Sequence, residues 1–237
     1  MFFTRSLFYS ALVLSLSIIS LPLKAQDSDI HKAINLGIAR KDLDITDRQQ
    51  READARFNVL TISLNAAMDN YFLSAATELP LGIDNPNQTG VVEWVQSEQH
   101  SLTLGYNPIR SFSVFGGYVY SRYILRSGLV ENIDKGPFLG AGYSLPIGET
   151  NNLSLNVAYG ALDGAITISS GSSNNANGDT TGFSYGLTYT GAYNNDLGYF
   201  LTLKINDYEF EQDTTPPLPR TKFATRKFTT FSAGLTF

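Results

Sequence analysis

The chain has no cysteine, one tryptophan, two methionines and two histidines among its 237 residues. Without cysteine there can be no disulfide framework and no lipid attachment at an N-terminal cysteine. Most zinc and redox centres lose their ligands as well. Basic residues are also short, 17 against 22 acidic, for a net charge of −5. Nucleic-acid binding calls for clustered Lys and Arg facing phosphates, so it is not expected. Long apolar runs are missing too. Beyond the first residues no stretch approaches the roughly 20 apolar positions of a transmembrane helix, and the mean hydropathy is −0.09.

The N-terminus is a separate matter. Arg5 precedes the run Leu7-Phe8-Tyr9-Ser10-Ala11-Leu12-Val13-Leu14-Ser15-Leu16-Ser17-Ile18-Ile19, and the segment ends near Ala25. A charged start, an apolar run too short to span a bilayer and a small terminal residue make a secretory signal over residues 1–25. Removing it takes away Arg5 and Lys24, leaving 15 basic against 22 acidic residues and a charge of −7.

What the chain does have is 13 Tyr, 15 Phe and 20 Gly, beside many Ser, Thr and Asn, and these follow a period of two. Thr229, Phe231, Ala233, Leu235 and Phe237 share one face; Thr230, Ser232, Gly234 and Thr236 share the other. Six more segments alternate in the same way. They are led by Leu102-Tyr106, Phe112-Tyr120, Leu139-Leu145, Leu153-Ala161, Phe183-Tyr193 and Tyr199-Ile205. Successive side chains of a strand point to opposite faces, so each segment reads as a strand of about 10 residues. Short turns at 107–110, 146–151 and 194–196 alternate with longer polar stretches at 126–135, 167–181 and 211–222, the layout of an outer-membrane barrel with its long loops outside.

The first part of the barrel admits two readings. Leu60, Ile62, Leu64 and Ala66 alternate, and residues 71–79 offer a second strand-like piece. Counted separately they give nine strands and put the chain ends on opposite sides. Joined as one long strand bulged near Met68-Asp69-Asn70, they give eight, the preferred count, with ten as the alternative. Residues 26–56 are charged and show no clear alternation. They read as a polar periplasmic leader or short helix, with Thr46-Asp47-Arg48-Gln49 resembling a capping box, ahead of a barrel over 57–237.

The expected fold class is therefore all-β, an antiparallel up-and-down transmembrane barrel. In lipid an unpaired backbone edge costs several kcal/mol, so the sheet has to close. A soluble sandwich would need large side chains on both inner faces, whereas the second face here is mostly Gly, Ser, Thr and Asn. Tyr106, Tyr118, Tyr120, Tyr143, Tyr159, Tyr189, Tyr193 and Tyr199 sit towards segment ends, where amphipathic rings form interfacial girdles.

The ending Phe231-Ser232-Ala233-Gly234-Leu235-Thr236-Phe237 resembles the C-terminal signal read by the outer-membrane barrel assembly machinery. With the export signal and strand rhythm, the chain is similar to small porin-family barrels of the OmpA transmembrane, OmpX and OmpW type. The resemblance covers about residues 57–237 and implies a cell outer membrane location among lipid and lipopolysaccharide in a Gram-negative envelope. It lacks the peptidoglycan-binding domain of full-length OmpA-type proteins.

Some barrels of this class act on lipid A, which requires a histidine beside a serine. Only His31, in the leader, and His100 remain in the mature chain. Ser101 points away from His100, and the pattern of His and Ser two residues apart is missing. The chain is expected not to be an enzyme and to use neither a cofactor nor a metal. Lys204 and Arg226 fall on inward faces, and Asp69 shares that parity when the bulge keeps the phase, so the three form a candidate lumenal charge cluster. Trp94 reads as an interfacial anchor, residues 169–179 as a low-complexity loop, and Thr215-Pro216-Pro217-Leu218-Pro219 as a stiff one. The expected role is a non-enzymatic surface barrel whose loops meet an extracellular surface partner or maintain the envelope. The alternative is a narrow channel for small or hydrophobic solutes.

Overall fold

The computed structural model describes residues 30–47, 52–82, 95–125, 130–168, 174–194, 197–213 and 221–237. The export signal, the cleavage site after Ala25, Trp94 and the Thr215–Pro219 stretch lie outside them.

Ten strands make up the described fold: β1 His31–Asp47, β2 Glu52–Met68, β3 Tyr71–Gly82, β4 Val95–Ile109, β5 Phe112–Leu125, β6 Val130–Ile147, β7 Asn151–Ile168, β8 Asn174–Ala192, β9 Gly198–Gln212 and β10 Thr221–Thr236. Each pairs antiparallel with its chain neighbours, and β1 pairs with β10 to close the barrel. Ile34 and Phe237 exchange two backbone hydrogen bonds of 3.0 and 2.9 Å at the foot of that seam. Both described chain ends therefore lie at the short-turn end.

Three expectations are corrected. The barrel has ten strands, not the eight preferred, because residues 31–47 and 52–56 belong to β1 and β2 and not to a polar leader. Met68-Asp69-Asn70 is a hairpin turn, not a bulge: Met68 pairs with Tyr71, and Asp69 takes a left-handed φ of 53°, which Asp tolerates better than most residues. Residues 174–179, read as loop, form the start of β8.

The residues that build these strands come in two storeys. In the lower storey, nearer the short turns, outward positions are apolar: Leu36 and Ile38, Leu102 and Leu104, Leu139, Leu155 and Val157, Leu201 and Leu203, and Phe231 and Leu235 are all well exposed. Inward positions there are mostly small or polar, and the few large inward rings fold over glycines one or two strands away. Phe72 lies over Gly105, Phe115 over Gly140, Phe138 over Gly117, and Phe200 over Gly37 and Gly234, so a Cβ at any of these glycines would strike a ring or the backbone. In the upper storey the pattern inverts. Outward positions carry Arg40, Asp42, Asp44, Arg56, Glu98, Arg122, Glu131, Lys135, Asp163, Asp207 and Lys227. Inward positions carry Leu43, Phe57, Val59, Tyr123, Leu162, Ile166, Phe210 and Phe228, all buried.

One seam departs from continuous pairing. β3 and β4 pair only from Tyr71–Tyr106 to Glu78–Gln99. Above that point β3 continues against β2 as far as Gly82, and β4 continues against β5 as far as Val95. The two strands diverge there.

Candidate functional site in the barrel lumen

The lumen is closed in its upper storey by a buried polar network set in apolar side chains. Arg226 descends from the start of β10 and is 1% exposed. Its guanidinium donates to both carboxylate oxygens of Asp134 on β6, at 2.7 and 3.0 Å. Two parallel bonds of this kind match the fork of a guanidinium to a carboxylate and are among the strongest hydrogen bonds proteins make. Arg226 also donates to the Tyr123 hydroxyl at 3.0 Å and to Thr180 Oγ1 at 2.8 Å. The Thr180 hydroxyl donates to Asp134 at 2.7 Å, and the Asn132 amide donates to Asp134 at 2.8 Å. The rings of Tyr123 and Phe210 stand 6.0 and 5.7 Å from the guanidinium carbon, close enough for a cation–π contribution. The network joins β5, β6, β8 and β10 across the bore.

Around it, Leu43, Phe57, Val59, Tyr123 and Phe228 form a single apolar cluster, with Tyr123 edge-on to Phe228 at 5.7 Å. A ten-stranded bore is wider than an eight-stranded one, and diameter grows with strand number. Here the added width is occupied by side chains.

Below this closure lies a cavity of about 430 Å³. Its wall combines hydroxyl and amide groups, among them Ser74, Ser101, Asn156 and Thr188, with the rings of Phe72, Phe115 and Phe138, and Lys41 and Lys204 are its cations. Lys41 is ion-paired to Glu78. Lys204 on β9 stands opposite Thr230 on β10, and Thr230 stands opposite Lys41 on β1. The structure places Lys204 in the cavity wall and Arg226 buried in the upper lumen, and does not join either to Asp69. That residue is exposed in the β2–β3 turn, outside the lumen, because a hairpin turn replaces the expected bulge. The lumenal carboxylates are Asp134, paired with Arg226, and Glu78, paired with Lys41. Asp134 lies among residues 126–135, whose two polar faces resemble a loop, and Glu78 sits on the inward face of β3, opposite the apolar one. Inward parity with Ser74 and Ala76 would have found Glu78.

His100 faces outward. Its Nδ1 lies 2.8 Å from Thr77 Oγ1, and its ring stacks on Tyr120 at 6.0 Å. Ser101 faces the lumen, so the two stand on opposite sides of the wall. His31 is exposed at the foot of β1. Among the described residues no group of three or more His, Cys, Asp or Glu is placed to hold a metal ion. Of the C-terminal residues, Phe231, Leu235 and Phe237 are exposed on the outer face, and Ala233 shares that face.

No known family model matches the chain, and no curated protein matches its sequence. Solved structures do resemble it. The outer membrane protease OmpT from Escherichia coli superposes with a TM-score of 0.61 at 12% identity, over 90% of this chain and 99% of that one. Neisserial surface protein A, NspA, gives 0.40 at 8% identity over 88% and 97% of the two chains. Ail, the attachment invasion locus protein of Yersinia pestis, gives 0.38 at 13% identity over 87% and 99%. The chain has the fold of a small outer-membrane β-barrel.

Proposed function

We propose that this protein is a closed, non-enzymatic barrel of the cell outer membrane, held in lipid and lipopolysaccharide, whose loop-side end contributes to envelope integrity or contacts an extracellular surface. One observation carries the reading. The bidentate Arg226–Asp134 pair, embedded among Leu43, Phe57, Val59, Tyr123, Phe210 and Phe228, occupies the bore at the level where a channel would need water. A conducting pore keeps a polar, hydrated interior through its full height; here the upper interior is packed like a protein core. The separation of His100 from Ser101 by the barrel wall supports the non-enzymatic part of the reading. The exposed apolar row ending at Phe237, beside the seam it closes with Ile34, supports its use as the signal for the barrel assembly machinery.

The test is single-channel recording of the refolded barrel in planar bilayers. Wild-type protein is expected to give no discrete conductance at moderate voltage. Steady openings that scale with protein added, and that change on Arg226→Ala, would replace this reading with a narrow channel for small solutes.

A further inference from the structure

We propose that the outer face of β1 and β2 carries a docking site for a phosphate group of an outer-leaflet glycolipid, formed by the guanidinium groups of Arg40 and Arg56. The inference rests on the outer-membrane reading above and names where a lipid partner is held. It does not depend on whether the lumen conducts.

Strand register brings the two arginines together. Arg40 on β1 stands opposite Asn58 on β2, and Asp42, two residues further along β1, stands opposite Arg56. The arginines are therefore diagonal neighbours on one face of the sheet, with Cβ atoms about 7–8 Å apart, within reach of long side chains. Asp42 Oδ1 lies 3.9 Å from Arg40 Nε and 3.4 Å from Arg56 Nε. One carboxylate is shared by two cations, which leaves a positive charge over. The Nη groups that end both forks have no hydrogen-bond partner among the described residues, and the two side chains are 56% and 65% exposed.

The other outward cations at this height are matched. Arg122 is held between Glu98 and Glu131. Lys135 stands opposite Asp163 on β7, and Lys227 stands between Asp44 on β1 and Asp207 on β9. On β7, β8 and β9 the outward charged residues are Asp163, Asp179, Asp207, Glu209 and Glu211, all carboxylates. A phosphate at the barrel wall is repelled from that sector and drawn to Arg40 and Arg56.

The surroundings set the ligand class. Arg40 stands opposite Phe231 on β10, and Ile38 and Leu36 follow below it on the same face of β1; all three apolar side chains are well exposed. The forks therefore lie at the upper edge of the apolar band, the height of a lipid headgroup whose acyl chains run down the wall. A guanidinium fork matches two oxygens of a phosphate, and two forks with free ends can grip one phosphate between them. A lipid seated in this way also covers Ile38, Leu36 and Phe231, which a soluble phosphate would leave bare.

The full-length mature barrel, refolded in uncharged detergent micelles with EDTA present to remove divalent cations, provides the test. Diphosphoryl lipid A is titrated calorimetrically, with its chemically dephosphorylated form as the control. Saturable binding of the phosphorylated form is expected. It should weaken by about tenfold or more for the dephosphorylated form and for the double variant Arg40→Gln, Arg56→Gln, the loss of one or two charge-assisted hydrogen bonds. The double variant Lys135→Gln, Lys227→Gln removes the same charge elsewhere and should bind as wild type does, with heat-modifiable migration confirming that both variants fold. A second measurement uses wild-type protein alone: the phosphorylated lipid should protect Arg40 and Arg56 from phenylglyoxal, mapped by peptide mass, and leave Arg110 at the short-turn end reactive. Equal binding of the dephosphorylated form, equal losses in the two double variants, or no protection of Arg40 and Arg56 overturns the proposal. Binding that appears only when Mg²⁺ replaces EDTA overturns it too, by placing the phosphate on the acidic sector. A wild-type chain that does not migrate as a heat-modifiable barrel would instead overturn the outer-membrane reading, and this proposal with it.

Discussion

At the scale of the residue, Arg226 and Asp134 decide how the upper lumen behaves. Neither is tolerable there alone. A buried ion pair is costly to desolvate, and removing one partner leaves the other as an uncompensated charge at about 3–5 kcal/mol. Removing both and filling the space with apolar side chains is often nearly neutral. Arg226→Met and Asp134→Leu should therefore each destabilise the barrel by several kcal/mol, while the double variant recovers much of that loss. Denaturant unfolding in micelles measures it, and additive losses would mean the two side chains do not act as a pair. The same residues show what sequence could and could not reveal. Period-two parity puts Arg226 and Lys204 on inward faces, because each lies on a strand with a clear apolar face. It misses Asp134 because Asn132 and Asp134 point inward while Glu131 and Lys135 point outward. Where both faces are polar, the sequence reads as a loop.

At the scale of the element, β1 carries the same lesson further. Ile34, Leu36 and Ile38 face outward, and from Arg40 upward the outer face is charged while Ala39, Leu43 and Ile45 turn inward. The alternation never stops; its polarity reverses in mid-strand. A search for apolar-out, polar-in alternation finds only three residues of it and takes the remainder for a polar leader. β2 and β10 invert at the corresponding height, but each has a longer lower half that exposes its period. The count of ten then follows from closure. With residues 60–66 and 71–79 on separate strands, an even number required one more strand, and β1 supplies it. A leader could be removed without harm; a closing strand could not. β1 pairs with β10 from Asn35 to Asp47 and with β2 from His31 to Thr46. Removing β1 by deleting the chain up to Asp47 leaves two unpaired edges, which lipid does not tolerate. The truncated chain should lose heat-modifiable migration on unboiled gels and become protease-sensitive. A truncated chain that still migrates as a compact barrel would show that β2 and β10 can close without β1.

At the scale of the whole molecule, the inversion sets the depth at which the barrel sits in its membrane. On every strand except β3, the described outward face meets a charged side chain roughly ten residues above the short turns. Ten residues at about 3.3 Å each, tilted by about 40°, rise about 25 Å, the height of the apolar band in barrels of this kind. Each Lys or Arg on the lipid face near mid-membrane costs about 2–4 kcal/mol. Sinking Arg40, Arg56, Arg122, Lys135 and Lys227 together would cost on the order of 10 kcal/mol or more, comparable with the stability of a whole domain. The upper storey must therefore stand clear of the hydrocarbon, and this explains why its interior is apolar: with water outside, it folds as a soluble barrel does, around a core. Nitroxide labels placed one at a time on the outer face of the reconstituted barrel measure this directly. Positions 38, 104 and 139 should relax more with oxygen than with a water-soluble nickel chelate, and positions 44, 131 and 163 should show the opposite. An upper position shielded from nickel and open to oxygen would mean that the membrane reaches higher than the charges allow.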